Sequence, residues 1–279
     1  MRKQVDAILQ KNGFIIDMDG VLYHGNRLLP GVQEFVDWLS ANKKRFVFLT
    51  NSSERTPKEL QEKLERLGVV VDKDAFYTSA LATAMFLSAQ KPRGSAYIIG
   101  DAGLINALYN VGYTMNNVDP DYVVIGETRG YSYEVVEKAI NLVMNGARLI
   151  GANPDTTGPG EHGIVPGTKA LVAPIEMATG RKAYFVGKPN PLMMRNALKK
   201  IKCNREESVI IGDRMDTDIV AGIESEIDTC LVLSGITNRD MIDHFPYRPK
   251  YVLNGIIDLV ERDLGLGTSP SAFNNFAPK

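Results

Sequence analysis

Cysteine, charge imbalance and long apolar runs are all scarce in this chain. The two cysteines, Cys203 and Cys230, cannot make a disulfide framework, and no C-x-x-C pair is present for a zinc or redox site. Both lie in apolar stretches, which predicts reduced, buried thiols. The 32 basic and 33 acidic residues leave a net charge of −1, so no broad basic face is offered to nucleic acid or an anionic membrane. No apolar run approaches the ~20 residues of a membrane span. The first residues are basic, yet Asp6, Gln10 and Lys11 break any apolar core of an export signal, and a cytoplasmic location is expected. Asn51-Ser52-Ser53, formally a glycosylation acceptor, is therefore to be read otherwise. No repeat with a period of about 20–50 residues is found.

What is present is an average globular composition, 44% hydrophobic and 23% charged over 279 residues. That length suits roughly two domains of about 150 residues. Short apolar runs alternate with amphipathic stretches throughout. Phe14-Ile15-Ile16 reads as a buried strand, and Val32, Phe35, Val36 and Leu39 recur at helical spacing. Arg45–Leu49 is the next strand. Thr56-Pro57-Lys58-Glu59 reads as a capping box with proline at the first helical position, followed by the stripe Leu60, Leu64, Leu67. Further strands are predicted at Tyr97–Gly100, Tyr122–Gly126, Leu149–Ala152, Val209–Gly212 and Thr229–Leu233. Helices are predicted near 102–110, 131–145, 168–179, 191–200, 216–224 and 255–264. Strand–helix alternation of this kind predicts right-handed βαβ units and parallel sheets, the α/β class.

Four motifs fall at strand ends or helix starts. Asp17-Met18-Asp19-Gly20-Val21 follows the first strand, and ligands of open parallel sheets sit beyond the carboxyl ends of strands. A solvated Asp-x-Asp-Gly turn is the plainer reading; an EF-hand is excluded by its missing ligands. Thr50-Asn51-Ser52-Ser53 ends the second strand with hydroxyls, an amide and backbone N–H groups suited to phosphate, although plain helix capping accounts for it equally. Gly187-Lys188-Pro189 presents a lysine just before a helix. Gly212-Asp213-Arg214-Met215-Asp216-Thr217-Asp218 brings three carboxylates that would repel unless a cation gathers them.

In that order these motifs resemble the haloacid dehalogenase (HAD) superfamily of phosphohydrolases. Asp-Met-Asp-Gly-Val-Leu-Tyr-His-Gly, Leu-Thr-Asn-Ser-Ser and Val-Gly-Lys-Pro-Asn-Pro are similar to the NagD-type, p-nitrophenylphosphatase-like branch. Thr50 follows Asp17 by only 33 residues, whereas Lys188 follows Thr50 by 138. A separate unit must therefore be inserted between the second and third motifs, where the resemblance also places an α/β cap of the C2 type. The expected organisation is a Rossmann-like parallel-sheet core from 1–79 and 184–267, an inserted α/β cap over 80–183, and a tail over 268–279.

The resemblance implies a Mg²⁺-dependent phosphatase of small phosphorylated metabolites such as sugar phosphates or nucleoside monophosphates. Asp17 would be the nucleophile that forms an aspartyl-phosphate, and Asp19 the general acid and then base. Asp17, the backbone carbonyl of Asp19, and Asp213 would hold Mg²⁺, with Asp218 or else Asp216 behind a metal-bound water. Thr50, Asn51 and Ser52 would bind the phosphoryl oxygens, and Lys188 would neutralise charge. Asn153 and Asp155, after a predicted cap strand, are expected to touch the rest of the substrate, or else to form only a turn. His24 is a weaker candidate near the leaving group. Gly158–Gly163 matches G-x-G-x-x-G but leads into no helix, so it is read as a flexible loop and not as a dinucleotide site. The partners expected are a small phosphate ester and, at most, a second copy bound through the cap. A phosphomutase and a phosphate sensor remain as alternatives.

Overall fold

The structure, a computed structural model, describes residues 2–160 and 163–260. The expected tail, the last residues of the helix expected near 255–264, and His162 lie outside them. Helix α1 (Arg2–Leu9) leads into strand β1 (Gly13–Ile16), the short hairpin β2 (Tyr23–His24) and β3 (Arg27–Leu28), then α2 (Val32–Ala41), β4 (Arg45–Thr50), α3 (Pro57–Arg66), β5 (Phe76–Thr78) and α4 (Ser79–Gln90). The capping box exists as expected, Glu59 N donating to Thr56 Oγ1 and Thr56 N to Glu59 Oε2, a contact set of about 1 kcal/mol.

A second block follows: β6 (Ser95–Ile99), α5 (Ala102–Asn110), β7 (Thr114–Met115), β8 (Tyr122–Ile125), α6 (Tyr133–Met144), β9 (Arg148–Gly151), β10 (Thr157–Gly160), β11 (Gly163–Pro166), α7 (Thr168–Thr179) and β12 (Tyr184–Phe185). The chain then returns through α8 (Pro191–Ile201), β13 (Ser208–Gly212), α9 (Val220–Glu224), β14 (Asp228–Val232), β15 (Tyr251–Leu253) and α10 (Ile257–Val260).

The first and last blocks share one six-stranded parallel sheet, ordered β15-β14-β13-β1-β4-β5. The middle block forms its own parallel sheet, ordered β12-β9-β8-β6-β7. This is the core with an inserted α/β cap that the motif spacing called for. Two-residue alternation sends Phe14 and Ile16 to one face of the core sheet and Ile15 to the other. The Ile15 face packs with Val47, Leu49 and Ile210 and continues into Ala96, Val124 and Ile150 of the cap sheet, so one apolar layer spans both units.

Strand order reverses at β1: the chain works outward through β4 and β5, then returns on the other side through β13, β14 and β15. Such a reversal opens a crevice at the carboxyl ends of the adjoining strands. Register fixes what lines it. Ile16 pairs with both Ile211 and Phe48, so Asp17, Gly212 and Leu49 begin the three strand ends at one level.

Two expectations need correction here. The described residues of the stretch expected as a flexible loop are instead strand, because Thr157–Gly160 and Gly163–Pro166 pair as an antiparallel ribbon. The helix expected over 216–224 begins as a wide π-helical turn, Met215–Ile219, and becomes α-helical only from Val220; such turns recur at functional sites. Among the described residues no helix is long and apolar enough to cross a membrane.

Candidate active site

Asp17 continues β1, its backbone N–H donating to Ile211 O at 2.8 Å. Asp213 follows β13, and the wide turn after it aims Asp218 inward. The side chains of Asp17, Asp213 and Asp218 are all buried, and each offers an oxygen within 4.8 Å of the others. Lys188 enters from the segment between β12 and α8. Its buried Nζ donates to Asp17 Oδ1 and, at 2.6 Å, to Asp218 Oδ1. Asp218 Oδ2 accepts from Arg214 N at 3.1 Å. Asp213 Oδ2 accepts from Ile236 N at 2.7 Å. Gly20, at φ +80°, passes so close that a Cβ there would lie 2.4 Å from Asp213 Oδ2. The glycine after the acid pair is therefore a clearance for the third acid as well as a turn residue.

Electrostatics follow from that crowding. Burial raises the Asp17 carboxyl well above the usual range; Lys188 opposes this, while Asp218 and Asp213 add to it. Burial and the nearby Asp218 push Asp213 up to about 7, against the Ile236 N–H. Burial pulls Lys188 down, but Asp17 and Asp218 outweigh it and hold the ammonium above its ordinary value. Three carboxylates against one ammonium leave two negative charges poorly compensated in a buried pocket. A hard divalent cation with oxygen ligands fits such a donor set.

Asp19 stands at the mouth, its surface partly open but crowded by protein. Dehydration raises its carboxyl, with Lys63 and Arg55 pulling the other way. Tyr23 Oη lies 3.5 Å from Asp19 Oδ2, and Lys63 Nζ sits 3.5 Å from the centre of the Tyr23 ring. His24 donates through Nε2 to Ser234 O at 2.6 Å, which ties the β2–β3 hairpin to the far strand end.

Thr50 closes β4 with Oγ1 accepting from Ser52 N at 3.1 Å. The Asn51 amide is spent within the protein: Oδ1 accepts from Lys188 N at 2.7 Å, and Nδ2 donates to Lys188 O at 3.0 Å and Asp155 Oδ2 at 3.1 Å. The Asn51 side chain thus forms a clasp on the backbone of Lys188. Asn153, expected to touch the substrate, has its side chain held by the chain itself. It is fully buried, donates to Asn51 O at 2.6 Å and Glu127 Oε1 at 2.5 Å, and accepts from Asp155 N at 3.1 Å. Both hydrogens of its side-chain amide are thus spent within the chain. Asp155 differs, because its Oδ1 is buried without a hydrogen bond and has Arg214 Nη1 3.9 Å away. Asp216, the rival of Asp218, faces outward in a two-point pair with Arg214 at 3.0 and 2.8 Å. Sequence reasoning missed Glu127, although it too follows a strand end.

The comparisons with known proteins agree with this geometry. The model of haloacid dehalogenase-like hydrolases matches residues 14–114, and a HAD-hydrolase-like model matches 185–259. A dihydroxyacetone phosphatase of Corynebacterium glutamicum is 45% identical over 89% of this chain and 90% of its own. The ribonucleotide monophosphatase NagD of Escherichia coli is 43% identical over 88% and 96%. The chain belongs to the NagD-type haloacid dehalogenase-like hydrolases. The solved NagD structure superposes with a TM-score of 0.84 at 42% identity, covering 88% of this chain and 97% of that one. A 4-nitrophenylphosphatase of Thermotoga maritima reaches a TM-score of 0.87 at 33% identity, over 91% and 98%. The span from 115 to 184 that neither family model matches holds most of the cap sheet, so the family signal is densest where the four motifs stand.

Proposed function

We propose that this phosphoric monoester hydrolase cleaves small phosphorylated metabolites through an aspartyl-phosphate on Asp17, with Mg²⁺ bound beside it. The observation that carries the reading is the buried trio Asp17, Asp213 and Asp218 with Lys188 bonded to two of its members. Asp17, Asp213 and the backbone carbonyl of Asp19 would hold Mg²⁺, with Asp218 steadying the shell; the bound ion supplies charge neutralisation for the phosphoryl group. Its residues divide between a core of 1–79 and 184–267 and a cap of 80–183.

In the first step a carboxylate oxygen of Asp17 attacks phosphorus and a P–O bond forms. The bond to the leaving oxygen breaks, and Asp19 gives that oxygen its proton. In the second step Asp19 takes a proton from water, the water oxygen bonds to phosphorus, and the Asp17–phosphorus bond breaks to release phosphate. A general acid must hold its proton near working pH, and the upward shift of Asp19 supports that role. Lys188 fixes one oxygen of Asp17 and offsets charge as it builds on the phosphoryl group, the electrostatic share that dominates such transfers. Thr50 and Ser52, at the end of β4, would receive the phosphoryl oxygens. Asn51 acts through Lys188.

The relatives named above act on dihydroxyacetone phosphate, ribonucleotides and nitrophenyl phosphate. Their common ground is a small monoester. Asp155, with its unsatisfied buried oxygen beside Arg214, is the cap residue best placed to sense the leaving group. The test is phosphate release from p-nitrophenyl phosphate and a panel of phosphorylated metabolites, with Mg²⁺ and with EDTA. Turnover that is Mg²⁺-dependent and broad over small monoesters is expected; turnover unaffected by complete metal removal would refute the reading.

A further inference from the structure

Glu127 stands one residue beyond Gly126 at the carboxyl end of β8, in the cap, outside the residues given roles above. Its carboxylate gathers three donors from elsewhere in the chain. Oε2 accepts from Ser53 N at 3.0 Å and from Ser53 Oγ, while Oε1 accepts from Asn153 Nδ2 at 2.5 Å. Ser53 Oγ in turn accepts from Glu127 N at 3.0 Å. Ser53 and Asn153 are fully buried, so water has no ready way to replace a lost partner. The backbones are fitted for this approach: a Cβ on Gly126 would lie 2.4 Å from Ser53 Oγ. Asn153 passes the connection on, donating to Asn51 O, and the Asn51 amide closes on both backbone polar atoms of Lys188.

We propose that Glu127 is a positioning residue whose carboxylate locks the cap onto the Asn51–Ser53 loop and, through Asn51, sets the placement of Lys188. This rests on the function proposed for the site. The lock needs a carboxylate. Both oxygens face donors, so a glutamine of the same shape must turn its NH₂ toward Ser53 or toward Asn153, putting donor against donor in either orientation. An alanine takes away the acceptor that all three donors share.

The lock does not read the substrate. Glu127 acts on the phosphate-binding loop and Lys188, which every monoester uses alike, and that predicts a uniform effect across substrates. Glu127→Gln should lower kcat by about tenfold, the rate equivalent of one charge-assisted hydrogen bond, with KM nearly unchanged. The same factor should appear for p-nitrophenyl phosphate and for a small sugar phosphate. Measured well below Tm and per folded molecule, a purely structural role would lower Tm and leave kcat intact, and that result would overturn the proposal. A loss that re-ranks the two substrates would overturn it equally. Should Glu127→Gln fail to fold, Ser53→Ala decides: it keeps the Ser53 N–H bond, should fold, and should lose several-fold in kcat, whereas wild-type kcat would refute the lock. Asp17→Asn, run alongside, separates the two readings. An active Asp17→Asn refutes the proposed chemistry, while an inert Asp17→Asn with an unimpaired Glu127→Gln refutes only the role of Glu127.

Discussion

Lys188 Nζ lies 2.6 Å from Asp218 Oδ1, although α8 and β13 separate the two residues by 30 positions in the chain. The same ammonium bonds Asp17. Lys188 is therefore shared between the proposed nucleophile and an acid on the wide turn Met215–Ile219, and it ties those two strand ends together. Both partners are nearly inaccessible, so the pair is a charge assembly of the interior and not a surface ion pair.

Lys188→Met follows directly as a test. Removing one member of a buried ion pair strands the other, at a cost of about 3–5 kcal/mol. Asp17 and Asp218 would both lose their cation here, so the metal-free variant should show a clearly lowered urea midpoint and no turnover. Added Mg²⁺ should return part of the stability and none of the activity. A variant as stable as the parent without Mg²⁺ would contradict the charge accounting.

Mg²⁺ should also stabilise the unaltered protein, independently of any assay of turnover. Relief of crowding among Asp17, Asp213 and Asp218 is available only in the folded state, where they converge. At a hundredfold excess over Kd such binding adds about 2.7 kcal/mol, a Tm rise of roughly 5 °C for a chain of this size. Asp213→Asn should abolish most of that rise. An equal rise in Asp213→Asn would place the ion elsewhere.

Acid stability has a separate handle far from the site. Asp228, at the start of β14, meets Lys11 Nζ at 2.8 Å and Lys250 Nζ at 2.8 and 2.9 Å. Burial alone would raise its carboxyl, but the two ammonium groups reverse that and hold it below its ordinary value. A depressed folded value means that the stabilisation is complete above the unfolded value and is lost as pH falls through the folded one. Asp228→Asn should cost up to about 1 kcal/mol at pH 7, limited by the half-exposed Lys250, and less at high salt. As pH falls through the depressed folded value the variant and parent should converge; urea midpoints measured from neutral to strongly acid pH check this, and a gap that widens toward acid would contradict the sign.

Legibility from sequence follows where each residue faces. The four motifs were readable because a parallel sheet puts functional groups at strand ends, and a strand end is visible as an apolar run stopping at polar residues. Helix α4 was not readable. Ser79–Gln90 is apolar on nearly every side, since it lies between the core and cap layers, and so shows no stripe. The choice between Asp216 and Asp218 was open because a regular helix would place them about 200° apart without saying which points inward. The wide turn resolves it, with Asp218 buried and Asp216 paired to Arg214. Asn153 and Glu127 show the limit most clearly. A polar residue at a strand end meets either a ligand or another part of the chain, and only the three-dimensional approach of the loop 51–53 reveals that these two meet the chain.

Asp17→Asn and Asp19→Asn should separate the two halves of the proposed reaction. An amide in place of the Asp17 carboxylate cannot form the acyl-phosphate, so turnover should fall by several orders of magnitude for every substrate. Asp19 acts only on protons, and its loss should be graded by the leaving group. p-Nitrophenolate leaves without protonation, so Asp19→Asn should retain part of the first step with p-nitrophenyl phosphate. An alkyl phosphate such as a sugar phosphate, whose alkoxide needs the proton, should lose more, with general acid catalysis worth about 10²–10⁴-fold. The second step still lacks its base, so the phosphorylated enzyme should accumulate. A burst of p-nitrophenol approaching one equivalent, followed by a slow steady rate, would register it in rapid-mixing experiments. Structure makes the contrast sharp, because Asp17 is buried against Lys188 while Asp19 stands at the mouth beside Tyr23. Equal losses for both substrates in Asp19→Asn, with no burst, would assign Asp19 to metal or loop support and leave the proton to another group.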